Sequence, residues 1–258
     1  MKRKQLVFTP LDSLPLIEAG QNLAEVIFQT LQSLHLVLQD GDILVITQKI
    51  VSKAEGRLVN LASFTPSERA IHIAEQCGKD ARLVELILSE SNEVVRVAEN
   101  LLIVEHRLGF ICANAGVDHS NVKGESGTPE DWYLLLPKDP DRSARSISDY
   151  LYHKTAKRVG VLIIDSHGRA WRNGTVGITI GLASVPGIVD MRGKEDLFGV
   201  KLKVTQIGAA DELAAGASLL MGQADELIPV VHVSGFPYQL RESSLKELLR
   251  DKERDLFR

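Results

Sequence analysis

The sequence predicts a mixed α and β protein of the α+β class, and three observations carry that reading. Strand-length apolar runs such as "DILVIT" (42–47) and "VGVLII" (159–164) are bounded by turn residues. Helical periodicity recurs between them, for example over 22–38, where Leu23, Val26, Ile27, Leu31, Leu34 and Leu38 fall at three- and four-residue steps. The two patterns alternate irregularly, without the strand–helix–strand rhythm of an all-parallel sheet. At 258 residues the chain can bury a sizeable core, as one domain or as two interleaved subdomains.

In chain order, "MKRKQLVF" leads directly into a first strand, with no long apolar stretch or cleavage site of a targeting segment. After the helix at 22–38, a turn precedes a strand at 43–47. In "TPSERAIHIAEQCG" (65–78), Thr65 is expected as N-cap, Pro66 as first helical residue, Glu68 as the close of a capping box and Gly78 as the stop. A helix at 80–90 presents Leu83, Leu86 and Ile87 on one side, and strands follow at about 92–97, 101–105 and 109–113. Residues 123–142 are rich in Gly, Pro and acids and mark a possible subdomain crossing. "SARSISDYLYHKTA" resumes as helix and "RVGVLIID" as strand. "GTVGITIGLASVPGIVD" (174–190) is β-prone and glycine-punctuated, as if to bend or to bring backbone close to a ligand. A helix at 211–222 and a buried strand "IPVVHVSG" precede "ESSLKELLRDKERDLFR", which has the pattern of an amphipathic charged helix.

Composition narrows the function. A net charge of −4 implies no basic face for nucleic acid, and no apolar run approaches the roughly 18 residues of a membrane span. Two cysteines, Cys77 and Cys112, cannot build a disulfide framework; both fall in element patterns and are expected as small buried groups of a cytoplasmic protein. The phosphate loop G-x-x-x-x-G-K-[ST], the dinucleotide glycines, H-E-x-x-H, a cysteine zinc cluster and G-x-S-x-G are all missing.

Two Asp-bearing stretches remain, each following a strand-like run. "NAGVDHSNV" (114–122) offers Asp118, His119, Ser120 and Asn121; "VLIIDSHGRAWR" (161–172) offers Asp165, Ser166 and His167. Both are expected as loops. Two carboxylates beside hydroxyl and amide oxygens suit a hard cation such as Mg²⁺ or Mn²⁺, although Asp followed by Ser or His is also ordinary turn chemistry. His119 and His167 are weaker candidates, better suited to solvent or to a place behind a ligand. In "TQKIVSKAEGR" (47–57), Lys49, Lys53 and Arg57 recur at four-residue steps, so helix or strand would put all three on one side, facing phosphate oxygens or simply water.

"GDILVITQKIVSKAEGR", "NAGVDHSNV", "LLLPKDPDRSA", "VGVLIIDSHGRAWRNGTVGITIG", "DLFGVKLKVT" and "DELAAGASLLMGQADELIPVV" together resemble the coenzyme F420:L-glutamate ligase family, in order and from about residue 6 to 235. The resemblance implies a GTP-dependent enzyme that adds γ-linked L-glutamate to the terminal carboxylate of the F420 precursor through an acyl phosphate. It also implies two Mg²⁺ or Mn²⁺ sites, a K⁺ ion, and an intertwined homodimer of two-subdomain α+β chains. On the family's positions, Asp118, Asp165, Ser166 and Gln223 would hold metal. Leu14, Pro15, Leu16, Ile17, Gln48, Lys49, Lys53 and Asn121 would contact the nucleotide, as would the loop Met221, Gly222, Gln223, Ala224, Asp225, Glu226, Leu227 and Ile228. Lys49 and Lys53 would act on phosphate or carboxylate during catalysis. Two departures stand out: position 223 is Gln where some members carry Glu, and 166 is Ser where Thr is common. A GTP- or phosphate-binding protein without ligase activity, or an amide ligase for another carboxylate, are the alternatives.

Overall fold

A computed structural model describes residues 5–122, 124 and 131–256. Its centre is a five-stranded sheet in the order β1-β12-β2-β8-β9. The strands are β1 (Val7–Leu11), β2 (Ile43–Thr47), β8 (Gly160–Arg169), β9 (Arg172–Ala183) and β12 (Val230–Ser234). Only β2 and β8 run parallel; the other neighbours are antiparallel. Every residue of β2 except Thr47 is buried, as are the first four of β12 and first five of β8. Such unbroken burial requires cover on both faces of the sheet. Helices α5 (Pro140–Thr155) and α6 (Ala209–Met221) pack on it, and α1 (Leu23–Ser33) packs on α5.

A smaller antiparallel sheet, β4 (Ser91–Ala98), β5 (Leu101–His106) and β6 (Ile111–Ala113), packs beside it. Alternate residues of β5 are buried, so one face meets the core, and α3 (Glu68–Cys77) and α4 (Ala81–Ser89) lie against β4. Short pairs β3 (Leu58–Asn60) with β7 (Trp132–Leu134), and β10 (Val189–Asp190) with β11 (Gln206–Ile207), complete the mixed α+β architecture. One continuous apolar cluster, from Leu11 to Leu245, joins both larger sheets. Cys77 and Cys112 are both buried, and burial pushes the Cys112 thiol up to about 12. No helix among the described residues is long and apolar enough to cross a membrane.

Several boundaries differ from the sequence pattern. Helix α1 stops at Ser33 rather than 38, because His35 turns left-handed (φ 53°) and the Leu36 amide closes onto Leu31 O at 2.9 Å. Ser67, not Thr65, caps α3: its hydroxyl accepts from the Ala70 amide and donates to Glu85 of α4 at 2.6 Å, an anchor the local motif does not reveal. Gly78 ends that helix in the left-handed region. Among the described residues the C-terminal amphipathic helix does not form; short 3₁₀ turns stand at Leu245–Glu247 and Lys252–Arg254. There the Leu245 amide is taken by the Asp141 carboxylate of α5 at 3.0 Å, a tertiary partner in place of a helical one, and Glu247 is taken by the neighbouring Arg241 at 2.6 Å. Of the 123–142 crossing, residues 123 and 125–130 lie outside the described ones.

The glycine-punctuated strand brings backbone close to two helices. A Cβ on Gly177 would stand 2.7 Å from Ala214 O of α6, and one on Gly181 would stand 2.5 Å from the Pro140 carbonyl carbon of α5.

Candidate active site

The site lies where the parallel pair β2 and β8 ends, the place at which open α/β sheets commonly bind ligands. Thr47 ends β2 opposite Ile164, and its amide bonds Pro229 O at 2.9 Å, bringing the loop before β12 alongside. The chain then enters α2 (Gln48–Ala54) at once. Lys49 and Lys53, one helical turn apart, point from α2 into a cleft of about 900 Å³. Arg57 does not join them, contrary to the four-residue spacing. It follows the helix, and its guanidinium bonds Glu90 at 2.8 Å and Leu136 O at 2.9 Å, where it ties α4 to the segment after β7.

Asp118 is set by its backbone. Asn114, Ala115 and Gly116 are all left-handed (φ 49°, 54° and 63°), which turns the chain sharply after β6. Asp118 then exchanges both backbone hydrogen bonds with Leu134 of β7, at 3.0 and 2.8 Å. Its Oδ1 accepts from the Ser120 amide (2.7 Å) and hydroxyl (2.8 Å), and its Oδ2 meets Lys49 Nζ at 2.8 Å. Lys49 also donates to Ser120 Oγ and O, at 2.6 and 3.0 Å. Burial alone would raise the Asp118 carboxyl, but the Lys49 bond and charge and the Ser120 bonds outweigh it and hold it below the ordinary range. Lys53 is lowered, first by burial and then by Lys49, with Asp118 opposing.

Asp165 is not in a loop. It sits within β8, paired with Ile178, because the hairpin of β8 and β9 continues well past the sheet's edge. Apolar residues stop at Ile164 but the pairing does not, so a pattern read from hydrophobicity ends the strand too soon. Asp165 Oδ2 lies 3.0 Å from His167 Nε2. His119 points away from the cleft lining, with Nδ1 at 2.9 Å from Trp132 O and its ring against Tyr133.

The third wall is the loop from Met221 to Ile228. Gly222 begins it with φ 69°, and Glu226 folds its carboxylate over the space a Cβ would fill, accepting from the Ala224 amide at 2.8 Å. Asn121 Nδ2 donates to Ala224 O at 2.9 Å, and Lys53 donates to Asn121 O at 3.1 Å, so one lysine, the Asp118 turn and this loop form a continuous chain. Leu14, Pro15, Leu16 and Ile17 close the remaining side.

All the positions named by the family resemblance therefore line one cleft except Gln48, which is buried with its Oε1 on the Ser52 hydroxyl at 2.9 Å; of the other candidates, Arg57, His119 and His167 do not line it. The cleft also holds Asp12, Thr47, Thr175 and Ser218, which carried no motif. Thr175 reaches the site through hairpin pairing opposite Gly168, a long-range register no local pattern displays. Among the described residues, no three His, Cys, Asp or Glu side chains form a closed metal cluster. The cleft lining instead carries the oxygens of Asp118, Asp165, Ser166 and Gln223, donor types whose chemistry fits Mg²⁺ or Mn²⁺.

Residues 12–235 match the family model described as F420-0:Gamma-glutamyl ligase. The chain is 46% identical over 249 residues to a coenzyme F420:L-glutamate ligase of Methanothermobacter thermautotrophicus, covering 96% of each. It is 43% identical to the protein of that name from Methanocaldococcus jannaschii (95% of this chain, 94% of the relative). The Archaeoglobus fulgidus protein of the same name is also 43% identical (96% and 95%). The chain belongs to the F420-0:γ-glutamyl ligase family.

Proposed function

We propose that this protein is a ligase that joins L-glutamate to the terminal carboxylate of the coenzyme F420 precursor, driven by GTP. Family membership supports the reaction, and the convergence of Asp118, Asp165, Lys49, Lys53 and the 221–228 loop on one cleft supports the phosphate chemistry. The cleft balance is itself informative: among the described residues, Asp12, Asp118, Asp165, Asp225 and Glu226 face only Lys49 and Lys53. Such a surface repels a triphosphate unless cations accompany it. Divalent metal held by Asp118, Asp165, Ser166 and Gln223 would supply that charge compensation on the phosphate oxygens. Gln223 offers an amide oxygen without charge, and Glu226 of the same loop keeps a carboxylate nearby. K⁺ completes the requirement that the family resemblance implies.

In the proposed reaction the acceptor carboxylate oxygen attacks the γ-phosphorus, the bond to the β–γ bridging oxygen breaks, and GDP leaves. The glutamate amine then attacks the acyl carbon, inorganic phosphate leaves with the carboxylate oxygen, and the amine loses a proton. Lys49 and Lys53 hold phosphate or carboxylate oxygens through charge-assisted hydrogen bonds. The chained contacts from Lys53 to Asn121 to Ala224 align the loop with the two lysines, and positioning supplies much of the rate.

A second copy of the chain is part of this reading. Leu197, Phe198 and Val204 lie in the β10–β11 connection and are 97%, 90% and 85% exposed, an apolar surface suited to a homodimer interface. The test combines protein, unglutamylated F420 precursor, L-glutamate, Mn²⁺ and K⁺, with GTP or ATP, and weighs the product by mass spectrometry. Glutamyl addition with GTP and not without nucleotide is the expected result, from a preparation sedimenting at twice the chain mass. Intact binding of GTP with no product would favour the binding-protein alternative.

A further inference from the structure

His167 is a buried titratable group that the reaction above does not use. It stands two residues after Asp165 on β8, so both side chains leave the strand on the same side. Its ring is 8% exposed, and Nε2 lies 3.0 Å from Asp165 Oδ2. Among the described residues no other hydrogen bond or ion pair reaches either oxygen of Asp165. This differs from Asp118, both of whose oxygens are already engaged by Lys49 and Ser120.

The ring is held in place by its neighbours. Phe110 packs against it at 5.4 Å between centroids, and His106 stacks on Phe110 at 5.2 Å with the rings 7° from parallel. His106 in turn stands beside Glu90, which Arg57 and Arg107 both grip, so the stack is anchored in the smaller sheet. Asp211, in the first turn of α6, accepts from the Thr179 amide at 2.9 Å.

We propose that His167 is a positioning residue: it donates Nε2–H to Asp165 Oδ2 and thereby turns Oδ1 toward a divalent cation in the cleft. The inference rests on the reading of Asp165 as a metal ligand. An aspartate's terminal torsion is soft and roughly two-fold, so without a fixed partner the carboxylate swings. Hydrogen bonds to ligating groups remove that freedom, and their loss costs about 10–100-fold in metal affinity. A buried histidine that merely needed a partner would affect folding stability and leave ion affinity unchanged.

Mn²⁺ alone is the probe, titrated into the full chain and followed by the electron paramagnetic resonance of the free ion. Wild type, Asp165→Asn, His167→Leu and His167→Gln are compared, with circular dichroism to establish folding. Asp165→Asn should lose the ion, His167→Leu should bind about tenfold or more weakly, and His167→Gln, whose amide donates to the same oxygen, should recover most of the affinity. Wild-type affinity in folded His167→Leu, with the ion lost in Asp165→Asn, overturns the positioning role alone. Wild-type affinity in Asp165→Asn, or no Mn²⁺ bound by wild type, overturns the ligand reading and this inference with it. Should His167→Leu not fold, Phe110→Leu removes the ring's support and keeps the imidazole: weaker binding supports the role and unchanged binding overturns it.

Discussion

Asp118 concentrates the chemistry of the cleft in a single side chain. Lys49 and Ser120 hold its carboxyl below the ordinary 3.8, which means the folded state favours the ionised form. Its contribution to stability is therefore complete above the unfolded value and is lost as pH falls through the lowered folded value. Asp118→Asn should reduce ligation on the order of a hundredfold or more while the protein stays folded. The melting-temperature difference between wild type and variant should shrink as pH drops from 7 to about 3. A difference that stays constant with pH would show that the Lys49 pairing carries no linked proton. The sequence already displayed this residue's chemistry, because Asp118, Ser120 and Asn121 within one short turn are a local signal. The direction of Arg57 was not legible: a four-residue spacing fixes a helical face, but α2 ends at Ala54, before Arg57 is reached.

At the level of elements, the glycines of β9 decide how closely helices approach the sheet that carries Asp165. Gly181 touches backbone of α5, which cannot yield as a flexible side chain can. Gly181→Ala should cost about 1–3 kcal/mol, lowering the melting temperature by several degrees. Gly168→Ala, with nothing within 4 Å of the added carbon, is the control and should leave it unchanged. Equal melting temperatures for the two variants would contradict the packing account. Strand β2, the apolar half of β8 and helices α3 to α6 were legible because periodicity is local, although the cap of α3 was not. The C-terminal segment was not, since its fate turns on Asp141 of α5, a partner remote in sequence from its own periodic pattern. The long hairpin of β8 and β9 was missed for a related reason: past Ile164 it is held by cross-strand hydrogen bonds and not by apolar alternation.

Over the whole molecule, the two larger sheets share one core, and the site draws a wall from each region. The small sheet leads into the Asp118 turn, the central sheet supplies Thr47 and Asp165, and α6 delivers the 221–228 loop. The candidate residues that line the site are accordingly scattered from Leu14 to Ile228. The central claim is that this assembled cleft passes a phosphoryl group to the acceptor's carboxylate before the amide bond forms. The measurement that tests it most directly follows an oxygen isotope from the acceptor. With ¹⁸O in the terminal carboxylate of the F420 precursor, turnover with GTP and L-glutamate should release inorganic phosphate carrying one ¹⁸O per amide bond formed. Amide product accompanied by unlabelled phosphate would contradict the account.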